Sequence, residues 1–106
     1  MKAIRIHETG GPDVLRYEEV ELPPPAPGQV RVRHTAIGMN FIDTYHRSGL
    51  YKLPLPTGLG SEAAGVVEAL GDGVATLKKG DRVAYAGTIG AYAEANNVPA
   101  DKLVKL

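Results

Sequence analysis

The chain has 106 residues, room for one domain and one modest core. Twelve basic residues cancel twelve acidic ones, which removes the electrostatic case for nucleic acid or a membrane surface as partner. No cysteine is present, so disulfides and thiolate metal sites are excluded. No run approaches the ~20 apolar residues of a membrane span, and the start MKAIRIHETG lacks a signal-peptide core, so a soluble, cytoplasmic domain is expected.

Thirteen glycines and eight prolines punctuate short apolar runs, a pattern of strands and turns. Lys2 to His7 alternates, with Ile4 and Ile6 on one face and Arg5 on the other, and is predicted as a half-buried strand. After the turn signal Gly10-Gly11-Pro12, VLRYEEVEL (Val14 to Leu22) reads as a second strand. Its broken alternation at Glu18-Glu19 predicts a bulge or an edge position. Pro23, Pro24, Pro25 and Pro27 lack the amide hydrogens of a sheet ladder and predict an extended surface connection.

Gln29 to Gly38 is the clearest strand, with Val30 and Val32 facing one way and Arg31 and Arg33 the other. His34 falls on the valine side without a second ligand at metal spacing, and reads as a hydrogen-bonded structural histidine. The segment NFIDTYHRSGLY, Asn40 to Tyr51, predicts a short helix: Asn40 is a good N-cap, Asp43 a capping acid, and Gly49 a left-handed C-cap. Asp43 and Arg47 stand four apart in the favourable ion-pair order. Helical chemistry thus explains much of the segment's polarity but leaves its two tyrosines unexplained.

Leu53-Pro54-Leu55-Pro56 predicts an extended loop. Ser61 to Leu70 predicts a largely buried strand, Gly71-Asp72-Gly73 a tight turn, Arg82 to Ala86 a fifth strand, and Gly90 to Val98 a sixth. In the last, Tyr92 and Glu94 share one face and the alanines the other. Six short strands and one short helix describe a partly open β-barrel, a mainly β fold. Gly58-Leu59-Gly60 begins like a dinucleotide fingerprint, but a proline loop precedes it and an apolar strand follows it. A phosphate site needs the opposite context, so these glycines read as permitting close backbone approach.

Taken together, Gly10-Gly11-Pro12-Asp13-Val14-Leu15, NFIDTYHRSGLY, and GLGSEAAGVVEALGDGV running on to KKGDRVAY resemble a known family. They look like the catalytic domain of quinone oxidoreductases, the zeta-crystallin-like branch of the medium-chain dehydrogenase/reductase superfamily. The most specific part is the G-x-E-x-x-G-x-V run (Gly60, Glu62, Gly65, Val67) followed by Gly80-Asp81-x-Val83. The likeness covers essentially the whole chain and implies a GroES-like barrel, in agreement with the strand count. It also implies a Rossmann domain that binds NADPH after this one, and a homodimer at full length. Residues 1–106 are therefore expected to be the GroES-like catalytic, substrate-side domain, inactive alone, with the coenzyme-binding domain missing.

The superfamily's zinc enzymes place a cysteine ligand near Asn40 and a histidine near Ser61; neither is present, and Glu62 alone makes no zinc site. The resemblance thus implies metal-free reduction of a quinone or other conjugated carbonyl by NADPH. It implies that Tyr51 is catalytic, that Tyr45 and Arg47 contact substrate, and that Asn40 and Phe41 contact the cofactor. Competing local explanations stay open: the N-cap for Asn40, the Asp43 pair for Arg47, and barrel-edge packing for both tyrosines. An enoyl-thioester reductase domain would keep these residues and change the acceptor. A stand-alone GroES-like binding or oligomerisation module would not need them.

Overall fold

The computed structural model describes residues 1–106. Its organising strand is β3 (Gln29–Gly38), found over the range that the alternation predicts. Val30 and Val32 are fully buried, and each removal of such a side chain from water contributes about 1.5–3 kcal/mol. On one side β3 pairs antiparallel with β5 (Glu62–Leu70), and on the other with β7 (Ala95–Pro99). Beyond β5 lie β6 (Arg82–Ala86) and the two-residue β8 (Val104–Lys105), giving the sheet order β7-β3-β5-β6-β8. Register shifts at Arg31/Val32 and at His34/Ala36 bend β3 against β5, as bulges do. The main core sits on this sheet and includes Val30, Val32, Val67, Val83, Tyr85 and Val98.

A second, three-stranded sheet has β1 (Lys2–Ile6) between β2 (Arg16–Glu19) and the two-residue β4 (Thr57–Gly58). Three features differ from expectation. In β1 the buried residues are Ala3 and Ile6, while Ile4 is only partly covered. The two ends of β1 have different neighbours, β4 beside Arg5 and Ile6 and a bridge to Ala93 beside Ala3, so no single inward face exists. The second strand is shortened to Arg16–Glu19: Pro12–Val14 form a 3-10 turn before its start, and Val20–Leu22 lie outside it at the other end. It is an edge strand with unbroken register, not a bulged one.

The third difference matters most. The sixth strand begins at Ala95, and the preceding residues form an irregular connector that serves both sheets. Ile4 N–H donates to the Tyr92 carbonyl at 2.8 Å, Glu94 N–H to the Lys2 carbonyl at 3.1 Å, and His34 N–H to the Glu94 carbonyl at 2.8 Å. These backbone bonds close part of the barrel. A regular strand would give its bonds to a single neighbour on each side; this segment shares them among β1, β3 and the 59–60 turn.

The glycine-rich run works by close approach, as its context predicts. A Cβ on Gly65 would overlap the carbonyl of Arg33 on β3, so only glycine lets β5 lie that near. Gly60 has φ +86°, and a Cβ there would strike the Tyr92 ring.

Candidate active site

The helix α1 spans Phe41–Ser48 and follows β3 directly. Asn40 is extended, and its backbone N–H donates to Asp43 Oδ2 at 3.0 Å, the acid half of a capping box. At the other end Gly49 takes the left-handed conformation, φ 91°. Gly49 N–H donates to the Tyr45 carbonyl at 3.1 Å and Tyr51 N–H donates to the same oxygen at 3.2 Å. The chain therefore doubles back over the last turn, as helix C-caps closed by glycine do. Tyr51 is thereby laid beside Tyr45, ring centroids 5.5 Å apart and planes at 80°, an edge-to-face pair. His46 lies 6.3 Å from the Tyr51 ring.

Four of the five residues named from sequence are open to solvent on this unit. Phe41 is 83% exposed, Tyr51 52% and Tyr45 39%, and Asn40 is exposed as well. Barrel-edge packing does not account for rings left this open. Arg47 differs. The expected ion pair with Asp43 is not formed: Arg47 Nε donates to the Gly10 carbonyl at 3.2 Å, and Gly10 N–H returns a bond to the Arg47 carbonyl at 2.9 Å. Asp43 turns inward, is 4% exposed, and accepts the Tyr92 hydroxyl at 2.6 Å. The i, i+4 pairing loses because a partly buried phenol and a backbone amide already donate to the carboxylate, while the Arg47 Nε is engaged by the Gly10 carbonyl.

Tyr92 was legible only as one face of a strand; no periodicity links it to a helix 49 positions earlier. Burial, the Asp43 hydrogen bond and the Asp43 charge push its phenol well above the ordinary tyrosine range, so it stays a donor.

His34 is satisfied at both ring nitrogens. The Ala93 carbonyl can only accept, so Nδ1 carries the proton it donates there at 2.8 Å, and Nε2 accepts from the Tyr85 hydroxyl at 2.8 Å. Burial lowers its pKa, with the Ala93 bond opposing, which favours the neutral ring.

A surface concavity of about 480 Å³ lies elsewhere, lined among others by Ile4, Tyr17, His34, Ile37, Met39 and Tyr92. None of Asn40, Phe41, Tyr45, Arg47 or Tyr51 lines it. The candidate site is an open shelf, as half of a two-sided cleft would be. Asn40, Ser61 and Glu62, the positions where the resemblance would put zinc ligands or their neighbour, provide an amide, a hydroxyl and one carboxylate, a set without imidazole or thiolate donors. Toward a nicotinamide the fit is better: an exposed amide stands next to exposed Phe41 and Met39, which suits a flat ring bearing a carboxamide.

Two antiparallel sheets joined through a shared connector, with a helix capping β3, define a GroES-like β-domain. The chain belongs to the alcohol dehydrogenase GroES-like domain family, whose profile matches residues 26–106. Within that family it is 56% identical over 107 residues to a quinone oxidoreductase of Pseudomonas aeruginosa, a match covering 99% of this chain and 33% of that protein. It is 49% identical to the 2-haloacrylate reductase of a Burkholderia species, over 95% of this chain and 32% of that one. The crystal structure of Escherichia coli quinone oxidoreductase complexed with NADPH superposes with a TM-score of 0.97 at 50% identity, covering 100% of this chain and 33% of its own. The chain spans about a third of the length of the curated relatives it matches. The expected fold and the expected likeness to quinone oxidoreductases are both borne out.

Proposed function

We propose that residues 1–106 form the substrate-side half of the active site of an NADPH-dependent, metal-free quinone reductase. The nucleotide-binding half would lie on a Rossmann domain outside this sequence, and the domain would be inactive without it. The observation that carries this reading is α1 and its cap, which hold Asn40, Phe41, Tyr45 and Tyr51 on one exposed shelf. The identity with quinone oxidoreductases supports the choice of acceptor.

NADPH, when bound, supplies the reducing electrons; the residues of this chain orient and polarise. Tyr51 donates a hydrogen bond to the carbonyl oxygen on which charge grows during reduction, a role suited to a half-exposed phenol anchored through its own backbone amide. Tyr45 offers its ring to a flat acceptor and fixes the Tyr51 ring edge-on. The exposed Asn40 amide would hold the carboxamide or a ribose hydroxyl of the cofactor, and the exposed Phe41 ring would supply an apolar contact to it. Arg47 is the weakest of the five, since its Nε is already engaged by Gly10.

The test is Tyr51→Phe in the enzyme that joins this domain to its nucleotide-binding half. Loss of one hydrogen bond to developing charge should lower kcat by roughly 10²-fold with NADPH affinity nearly unchanged. Undiminished kcat would remove Tyr51 from the mechanism. A second reading, reduction of a conjugated acid or thioester, draws support from the likeness to 2-haloacrylate reductase. It predicts preference for an α,β-unsaturated acid over benzoquinone in the same assay.

A further inference from the structure

Asp43 is the only buried residue of α1. An eight-residue helix that buries no apolar side chain gains little from hydrophobic docking, and its isolated stability in water is negligible. Hydrogen bonds must therefore set where it stands. They stand at both ends: at the C-terminal turn Arg47 Nε donates to the Gly10 carbonyl and Gly10 N–H donates to the Arg47 carbonyl, and at the N-terminal turn the Tyr92 hydroxyl donates to Asp43.

The bond at the N-terminal turn has a rigid post. The Tyr92 ring packs on the Ile6, Val14 and Leu59 cluster. Its backbone is fixed on both sides, N–H to the Leu59 carbonyl at 2.9 Å and carbonyl to Ile4 N–H at 2.8 Å. Gly60 leaves the ring its space. Asp43 Oδ2 then takes both the Tyr92 hydroxyl and the Asn40 amide, tying the first residue of the site to the barrel through one oxygen.

We infer that Tyr92 and Asp43 are a positioning pair: the Tyr92 hydroxyl, through Asp43, sets the stance of α1 and hence where Asn40, Tyr45 and Tyr51 meet their ligands. Neither touches substrate. The kinetic consequence rests on the reductase reading; the structural consequence does not.

The experiment has two arms. In the 106-residue chain, Tyr92→Phe keeps the ring and removes only the hydroxyl, and amide chemical shifts are compared with the parent. Changes should concentrate on residues 40–51, with β6 and β8 undisturbed. Changes spread evenly through the barrel, or absent from 40–51, overturn the inference. In the enzyme joining both halves, Tyr92→Phe and Asp43→Ala should each lower kcat by about tenfold to a hundredfold with a much smaller change in KM. The double variant should be no worse than either single one, and Asp43→Asn, which keeps an acceptor oxygen, should recover part of the loss. Full activity in Tyr92→Phe, or multiplicative losses in the double variant, overturn the pair. A parent enzyme that reduces no quinone would sink the reductase reading instead, and the chemical-shift arm would still decide the pair.

Discussion

Tyr51 meets the ring of Tyr45 edge-on, 5.5 Å between centroids, and its amide is bonded to the carbonyl of that same residue at 3.2 Å. The two phenols are thus held as one unit by the end of a helix, without help from the barrel core. Their relative geometry depends on how α1 terminates, and their absolute position depends on how α1 is tied down. Substitutions that touch no tyrosine should therefore displace the shelf.

Gly49→Ala is the first such case. The glycine sits at φ +91°, and a Cβ there would lie 3.2 Å from the Thr9 side chain. The left-handed conformation alone costs an L-residue about 1–2 kcal/mol. Urea denaturation should show a loss of that size, and the ring contacts between Tyr45 and Tyr51 should weaken in NMR spectra. An unchanged midpoint would mean that the C-cap is not what brings the tyrosines together.

Gly65→Ala should cost more, because the obstacle is backbone and cannot rotate away. The added methyl would overlap the Arg33 carbonyl where β5 crosses beside the bend in β3. Forcing an atom into a packed interior typically costs 1–3 kcal/mol, and about the upper end or beyond is expected here. Thermal unfolding of this variant should fall below that of Gly49→Ala; the reverse order would argue that the sheets slide apart easily.

The contrast between these glycines shows what could be read in advance. Gly49 follows a helix pattern with a capping acid three residues into it, so its role is local and visible. β3, β5 and β6 were equally plain, since alternation or a buried run bounded by turn residues is a property of neighbouring positions. The two-residue strands β4 and β8 were not, for nothing so short carries a period. The connector before Ala95 looked like a strand because its alanines alternate with larger residues. It divides its bonds between two sheets, and that depends on partners at Lys2, Ile4 and His34 that no local window contains. The capping role of Asp43 is local and is found as expected, but its second partner is not: the rule for residues four apart favours Arg47, and the winning donor, Tyr92, is distant in sequence. Of the shelf, the helix and its caps were legible; the latch that orients it was not.

Stability should fall on acidification through His34. Burial depresses its pKa in the folded state below the ordinary value of 6.5, so the unfolded chain binds the proton more readily. The His34 contribution is complete above about pH 6.5 and is lost as pH drops below it toward the folded value. Protonation would also leave Nε2 a donor, ending its acceptance of the Tyr85 hydroxyl. Denaturation midpoints taken from pH 8 to pH 5 should decline for the parent chain, and His34→Gln should be less stable at pH 8 yet flatter across the range. Equal slopes would assign the pH dependence to other groups.

The last expectation concerns the apolar edge of the shelf. Met39 is 82% exposed, Phe41 83% and Leu50 66%, all flanking the segment that carries the candidate site. Large exposed apolar side chains gathered on one stretch mark a contact surface, and formal net charge of zero provides no repulsion to keep copies apart. Sedimentation velocity of the 106-residue chain should therefore show a weight-average mass that rises with concentration. Met39→Ser with Phe41→Ser should abolish the rise, because neither side chain contributes to either core and the fold should survive their loss. A clean monomer at every concentration would show that these residues are exposed without being adhesive. If instead the double variant still associates, the edge strand β2 becomes the surface to test, since its unpaired amides offer a second route to self-pairing. Only the outcome in which association follows Met39 and Phe41 ties the sticky face to the proposed cleft.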